Sequence, residues 1–188
     1  MAVLLHTCCA PCCAAIIEWM LQHDIRPTLF YYNPNIYPQE EYLIRKRECQ
    51  RYAQSLGLDI VDFDYDHAAW LEGVRGLEAE PERGARCQQC FNLRLHATAQ
   101  YAQKHGFTEF ATTLASSRWK SLEQIAQAGH NAASAFPSTV FWEKNWRKGG
   151  LSQRRQILLK EQGFYNQQYC GCEFSHTSKT LVERISLD

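Results

Sequence analysis

Nine of the 188 residues are cysteine, and seven of the nine fall into three tight groups: Cys8-Cys9-x-x-Cys12, Cys87-x-x-Cys90 and Cys170-x-Cys172. That content is well short of the roughly 8–10% that marks a small secreted domain stapled by disulfides. The run Ala2–Leu5 is apolar but meets His6 at once, with no basic flank before it and no long apolar stretch after it, so it does not read as a signal peptide. No apolar run approaches the roughly 18 residues of a membrane span. The expected compartment is the reducing cytoplasm, where grouped thiols serve metal or redox chemistry more often than disulfides. Neighbouring Cys8 and Cys9 are poor disulfide partners in any case, since adjacent Cα atoms lie about 3.8 Å apart, below the usual span of about 4.4–6.8 Å.

Twenty basic residues balance twenty acidic ones. Global charge therefore gives no argument for nucleic acid, and such contact must rest on a local patch. An apolar content of 45% and a mean hydropathy of −0.43 fit a soluble globular chain, and this length buries a core without staples.

The order of elements predicts an α/β fold, a doubly wound, mostly parallel sheet with helical additions. Ala2–His6 reads as a strand and Cys12–His23 as a helix opened by Pro11. Thr28–Tyr32 is a strand, Asn33–Pro38 a loop, Glu40–Leu56 a helix closed by Gly57, and Asp59–Phe63 a strand. Strand–helix–strand–helix–strand is the signature of parallel pairing through crossover helices. Asp59–Glu82 carries eight acids against one base and ends as a loop. Beyond it come a helix over Cys87–Lys104, a strand over Glu109–Leu114, a polar loop over Ala115–Trp119, a helix from Leu122 to Ser134, a strand over Thr139–Trp142 and a helix over Leu151–Gln162. Residues 1–175 are expected to form a single α/β catalytic domain, with 176–188 a peripheral tail.

Cys8, Cys9 and Cys12 sit where the first strand hands over to the first helix, and Cys87 and Cys90 open another helix. The carboxyl edge of an open parallel sheet is where ligands bind, and a helix start favours the thiolate, the form that binds metal. Three chemistries compete. A zinc site uses two C-x-x-C pairs, but its halves usually lie about 15–20 residues apart, far closer than Cys12 and Cys87. A dithiol redox pair would use Cys9-Ala10-Pro11-Cys12 and leave the other groups unexplained. An iron–sulfur centre needs about four thiolates, and seven supply them with some to spare. Cys13 and Cys49 fall inside helices and read as small buried hydrophobes. His6 is either a packed strand-end histidine or a neighbour of the site. Asp64, Asp66, Glu80 and Glu82 are available as carboxylate ligands, though an acidic run is more often a solvated face.

Taken together, His6-Thr7-Cys8-Cys9-Ala10-Pro11-Cys12, Asn33-Pro34-Asn35-Ile36-Tyr37-Pro38, Arg86-Cys87-Gln88-Gln89-Cys90-Phe91 with Arg94-Leu95, Thr112-Thr113-Leu114 and Tyr165–Cys172 resemble the cobalamin-independent, QueH-like epoxyqueuosine reductases. The motifs run over most of the chain, and their order makes the match specific. The resemblance implies an oxidoreductase for the last step of queuosine biosynthesis. Its substrate would be epoxyqueuosine at the wobble position of a tRNA, reduced at a [4Fe–4S] cluster beside a separate iron. It also implies a sheet of the nucleotide α-hydrolase (HUP-like) class and an electron donor as partner. Cys8, Cys9, Cys87 and Cys90 are then the first-choice ligands. Cys12, Cys170 and Cys172 would complete the set, hold the extra iron or form a redox pair, and Cys8, Cys9 and Cys12 are the candidates nearest the chemistry. Two positions depart from the family pattern. Asn145 stands where relatives have an aspartate shortly before an Arg-Lys pair, so no acidic role is assigned there. Ala115–Lys120 lacks the proline that follows the serine.

A tRNA substrate needs cations for phosphate and aromatic rings for unpaired bases. Between Glu143 and Lys160 six bases face one acid, with Trp142 and Trp146 interleaved. Trp146, Arg147, Lys148, Arg154 and Arg155 are the RNA-contact candidates, and Arg45, Lys46, Arg47 and Arg51 form a second cluster. No G-x-x-x-x-G-K-[ST] follows the first strand, so no ATP requirement is expected.

Overall fold

A computed structural model describes residues 2–175. Five strands, β1 (Val3–Thr7), β2 (Thr28–Tyr31), β3 (Ile60–Asp62), β4 (Glu109–Thr112) and β5 (Val140–Phe141), form one all-parallel sheet in the order β3-β2-β1-β4-β5. The helices are α1 (Ala10–Gln22), α2 (Gln39–Ser55), α3 (His67–Gly73), α4 (Ala85–Lys104), α5 (Leu122–Ala135) and α6 (Leu151–Glu161). β1 is buried along its whole length, as a central strand covered on both faces must be.

The chain steps outward from β1 to β2 to β3, then crosses back to β4 and β5. Right-handed crossovers put α1 and α2 on one face and α4 and α5 on the other. α6 returns to pack on α1, and α4 packs on α5. The winding therefore reverses between β1 and β4. At such a switch point the loops part and leave a crevice at the carboxyl edge, and the first cysteine group sits there.

Two local outcomes differ from the sequence expectation. The chain leaves β4 after Thr112 and turns through a short 3-10 helix, Thr113–Ser116, because the Thr112 hydroxyl accepts the Leu114 N–H at 3.2 Å. α3 forms inside the acidic stretch, capped by the Asp66 carboxylate, which accepts the Ala69 N–H at 2.8 Å. It buries Trp70 in a small apolar cluster with Val74, Cys90 and Cys172, and so supports the second and third cysteine groups. The proposed peripheral tail, 176–188, lies outside the described residues. Among the described residues no helix is long and apolar enough to cross a membrane.

Candidate metal centre

The strand-to-helix turn brings the first sulfurs together. Cys9 is the N-cap of α1, in extended conformation, and Pro11 sits in the first helical turn. The Sγ atoms of Cys8, Cys9 and Cys12 all lie within 4.8 Å of one another, with Cys8 and Cys9 3.8 Å apart. Thiolates sharing one tetrahedral ion at about 2.3 Å are about 3.8 Å apart, the separation of Cys8 and Cys9, so the three sulfurs are close enough to hold one metal ion. The thiols are strongly coupled. Hydrogen bonds from Cys12 and Cys9 hold the Cys8 thiol well below its ordinary range, with Lys120 and Arg94 adding to the effect. Burial pushes Cys9 up, and the bond to Cys8 pushes Cys12 up to about 12.

The other four cysteines line an adjoining cavity of about 540 Å³, mouth included. Cys87 and Cys90 come from the first two turns of α4, and Cys170 and Cys172 from the segment after α6. The Arg83 backbone N–H points at Cys87 Sγ, 3.3 Å away. A hydrogen bond from Cys172, aided by Lys120, lowers the Cys170 thiol to about 6, and the same bond raises Cys172. A second cavity of about 890 Å³ is lined by Cys8, Cys12, Arg45, Arg155, Gln167 and Cys170, among others. The two cavities share Glu82, Trp119, Lys120 and Cys170. All three cysteine groups therefore open on one cleft, of the size that holds a small ligand.

Buried arginines hold the third group in place. Arg45 donates to Tyr169 O at 3.1 Å and Cys170 O at 3.5 Å, and its charge is met by Glu41 at 2.7 Å. Arg86 donates to the carbonyls of Leu77, Glu78, Glu80 and Phe174. Gly171 has φ of +101°, and a Cβ there would lie 2.8 Å from Ile36 Cγ1, so only glycine fits the turn. Its carbonyl accepts the Tyr37 N–H at 2.9 Å.

The remaining candidates divide. His6 is fully buried. Its Nε2 donates to Tyr32 O at 3.1 Å and its Nδ1 accepts from Thr112 Oγ1 at 2.8 Å. Burial, reinforced by Arg94, keeps it neutral by lowering its pKa to about 3. Both nitrogens are engaged in joining β1 to its neighbours, so His6 packs the sheet. Cys13 and Cys49 lie in the core. Asp66 caps α3, Glu80 accepts the Ala85 N–H at 3.0 Å, Asp64 is exposed, and Glu82 alone of the four faces the cleft. Asn145 accepts the Arg147 N–H at 3.0 Å in a tight turn.

The basic run from 143 to 160 is not one patch. Trp146 is 1% exposed and packs against Trp19 and Trp142, with the Lys144 ammonium seated among the three rings. It offers no face for stacking, because its indole is buried against Trp19 of α1 and Trp142 just after β5. Arg154 is paired with Glu18 and Glu161. Arg147 is half-buried against the carbonyls of Ser117 and Lys120. Lys148 is exposed, and Arg155 faces the cleft while donating to Pro11 O at 3.1 Å. In the second cluster Arg45 is buried and Lys46 is paired with Asp62 at 2.5 Å.

Sequence reasoning assigned no role to Lys120, a cation that lines both cavities. It also missed Gln167, whose Nε2 lies 2.7 Å from Cys9 Sγ and 3.5 Å from Cys12 Sγ. Gln167 lies only three residues before Cys170, which was the available signal.

A model of the epoxyqueuosine reductase QueH family matches residues 3–178. This chain belongs to that family. It is 47% identical over 173 residues to epoxyqueuosine reductase QueH of Haemophilus influenzae, covering 92% of this chain and 71% of the relative. The QueH of Acinetobacter baylyi is 46% identical over 92% of this chain and 79% of its own length. For the QueH of Thermotoga maritima the identity is 36%, over 97% of this chain and 91% of that protein. In this QueH member the cysteine groups thus sit on a fold whose switch point gathers them.

Proposed function

We propose that this chain reduces epoxyqueuosine, carried at the wobble position of a tRNA, to queuosine, with a [4Fe–4S] cluster and a further iron held in the cysteine-lined cleft. The reading rests on one observation above all: three distant cysteine groups line a single cleft at the sheet's switch point in a QueH-family chain. The reaction consumes two electrons and two protons. The two carbon–oxygen bonds of the epoxide are replaced by a carbon–carbon double bond, and the oxygen leaves as water. When bound, the iron centre supplies electrons one at a time and a Lewis acid for the epoxide oxygen.

The protein groups have separate tasks. Cys8, Cys9, Cys87 and Cys90 are assigned as the first ligands. Cys12 and the Cys170–Cys172 pair complete the set or act as a dithiol beside it. Gln167 supports thiolate at Cys9 and Cys12 by N–H donation, as groups around metal ligands do. Lys120, which lines both cavities, is assigned as the proton donor to the departing oxygen. Lys148 and Arg155 remain as phosphate contacts, and the base must leave its stack to enter the cleft. The electrons come from an external donor, and neither ATP nor a membrane has a part.

The test is anaerobic turnover of epoxyqueuosine-tRNA, read by mass spectrometry of the digested nucleosides. Cys9→Ser and Cys90→Ser are expected to abolish the loss of oxygen. Lys120→Met is expected to lower kcat by about 10²–10⁴-fold, the range of general acid catalysis. Full turnover by both cysteine variants would overturn the reading. A wild-type chain that binds zinc and RNA without turnover would favour a zinc-stabilised RNA module, and thiol-dependent disulfide exchange alone would favour a dithiol oxidoreductase.

A further inference from the structure

Trp119 is 64% exposed, more than any other large apolar side chain among the described residues, and it lines both cysteine cavities. An exposed indole at the mouth of a cleft costs solvation that the fold does not require. Its backbone is nevertheless held firmly. Arg83 donates from Nε to Trp119 O and from Nη2 to Arg118 O, each at 2.9 Å, and Arg147 donates to Ser117 O and Lys120 O. Four consecutive carbonyls thus receive guanidinium N–H groups from two arginines far apart in sequence. Arg83 adopts φ of +67°, a conformation rarely taken by a residue with a side chain. Gln124 fixes its carbonyl with a bond of 2.8 Å. The Arg118 guanidinium lies 4.7 Å from the Trp119 ring centroid, yet the ring stays open to solvent. A shallow groove beside the loop is lined by Arg83, Arg118, Lys120 and Arg147, with Glu123 the one acid.

We propose that Trp119 is an RNA-binding residue: the indole stacks an unpaired base at the mouth of the cleft, while the Arg118 guanidinium beside it takes an adjoining phosphate. This deepens the tRNA reading given above and rests on it. An exposed apolar ring with an arginine against it suits a nucleobase with its phosphate better than a protein surface, whose contact cores are depleted in charge. Pinning the loop before binding means that little ordering entropy opposes the contact.

Binding of an anticodon stem-loop RNA to the full chain tests this by fluorescence anisotropy over a series of salt concentrations, alongside kcat and KM on epoxyqueuosine-tRNA. Trp119→Ala is expected to raise Kd and KM by about tenfold or more, the scale of one lost base stack. kcat should stay near the wild-type value. The slope of log Kd against log salt should be unchanged, because the indole releases no counterion. Trp119→Phe should recover most of the affinity. Since the side chain is exposed, both variants should unfold at the wild-type temperature. Unchanged Kd and KM in Trp119→Ala would overturn the proposal while leaving the tRNA reading intact. Unchanged RNA affinity with slower reduction by a protein donor would overturn it in favour of a protein-docking surface. If the wild-type chain bound the stem-loop no more tightly than a duplex of equal length, the tRNA reading would fail, and this proposal with it.

Discussion

At the turn between β1 and α1, Cys8, Cys9 and Cys12 meet because a strand passing into a helix leaves neighbouring side chains no room to diverge. Across the cleft, Cys87 and Cys90 meet Cys170 and Cys172 only because distant side chains hold the later segment against α4. One wall is local geometry, and the other is long-range packing. The first should survive many changes that dismantle the second.

The largest effect is expected at Arg86. Arg86→Met would leave four inward-facing carbonyls without their donor and destabilise the fold by about 3–5 kcal/mol. Thiol alkylation mapped peptide by peptide should show Cys87, Cys90, Cys170 and Cys172 reacting faster, with Cys8, Cys9 and Cys12 unchanged. Equal acceleration at both walls would mean that they are not built independently.

Gly171→Ala probes the same wall more gently. The strained φ and the close approach to Ile36 should cost about 1–3 kcal/mol. The loss should appear as a lower unfolding midpoint together with a lower metal content, and a wild-type midpoint would show that the turn has another conformation open to it.

Gln167→Leu tests the local wall. It removes the N–H donor from Cys9 and Cys12 while preserving volume. Metal affinity should fall by about 10–100-fold, as for other groups supporting metal ligands, with little change in stability. An unchanged affinity would confine Gln167 to packing.

The effect that is smallest at neutral pH, and grows only in acid, concerns the floor beneath both walls. His6 titrates near 6.5 when unfolded but near 3 when folded. The unfolded chain therefore takes up the proton first as pH falls. The stability that neutral His6 contributes is complete above about pH 6.5 and declines between there and about pH 3. His6→Gln should flatten that part of the stability–pH curve, and an unaltered slope would place the dependence on other groups.

The same division explains what could be read in the sequence. The strand–helix alternation of the first third follows from apolar runs punctuated by Pro34, Pro38 and Gly57, and the parallel sheet follows from it. The cysteines announced themselves by residue type and by their places at strand and helix ends. α3 escaped notice because seven residues give too short a period, and its formation depends on the Asp66 cap and on burial of Trp70. The roles of the basic residues were also hidden. Arg45 and Arg86 look like surface cations until tertiary contact shows them bonded to backbone more than eighty residues away. Trp146 and Trp119 show the same limit, since composition cannot tell which indole is buried and which stands open at the cleft.

The most direct test of the iron–sulfur reading is the count of iron and acid-labile sulfide per chain in anaerobically purified wild-type protein. About four sulfides with iron in excess of four are expected, as a [4Fe–4S] cluster beside a further iron requires. A colourless protein carrying zinc and no sulfide, even after reconstitution with iron and sulfide, would contradict it.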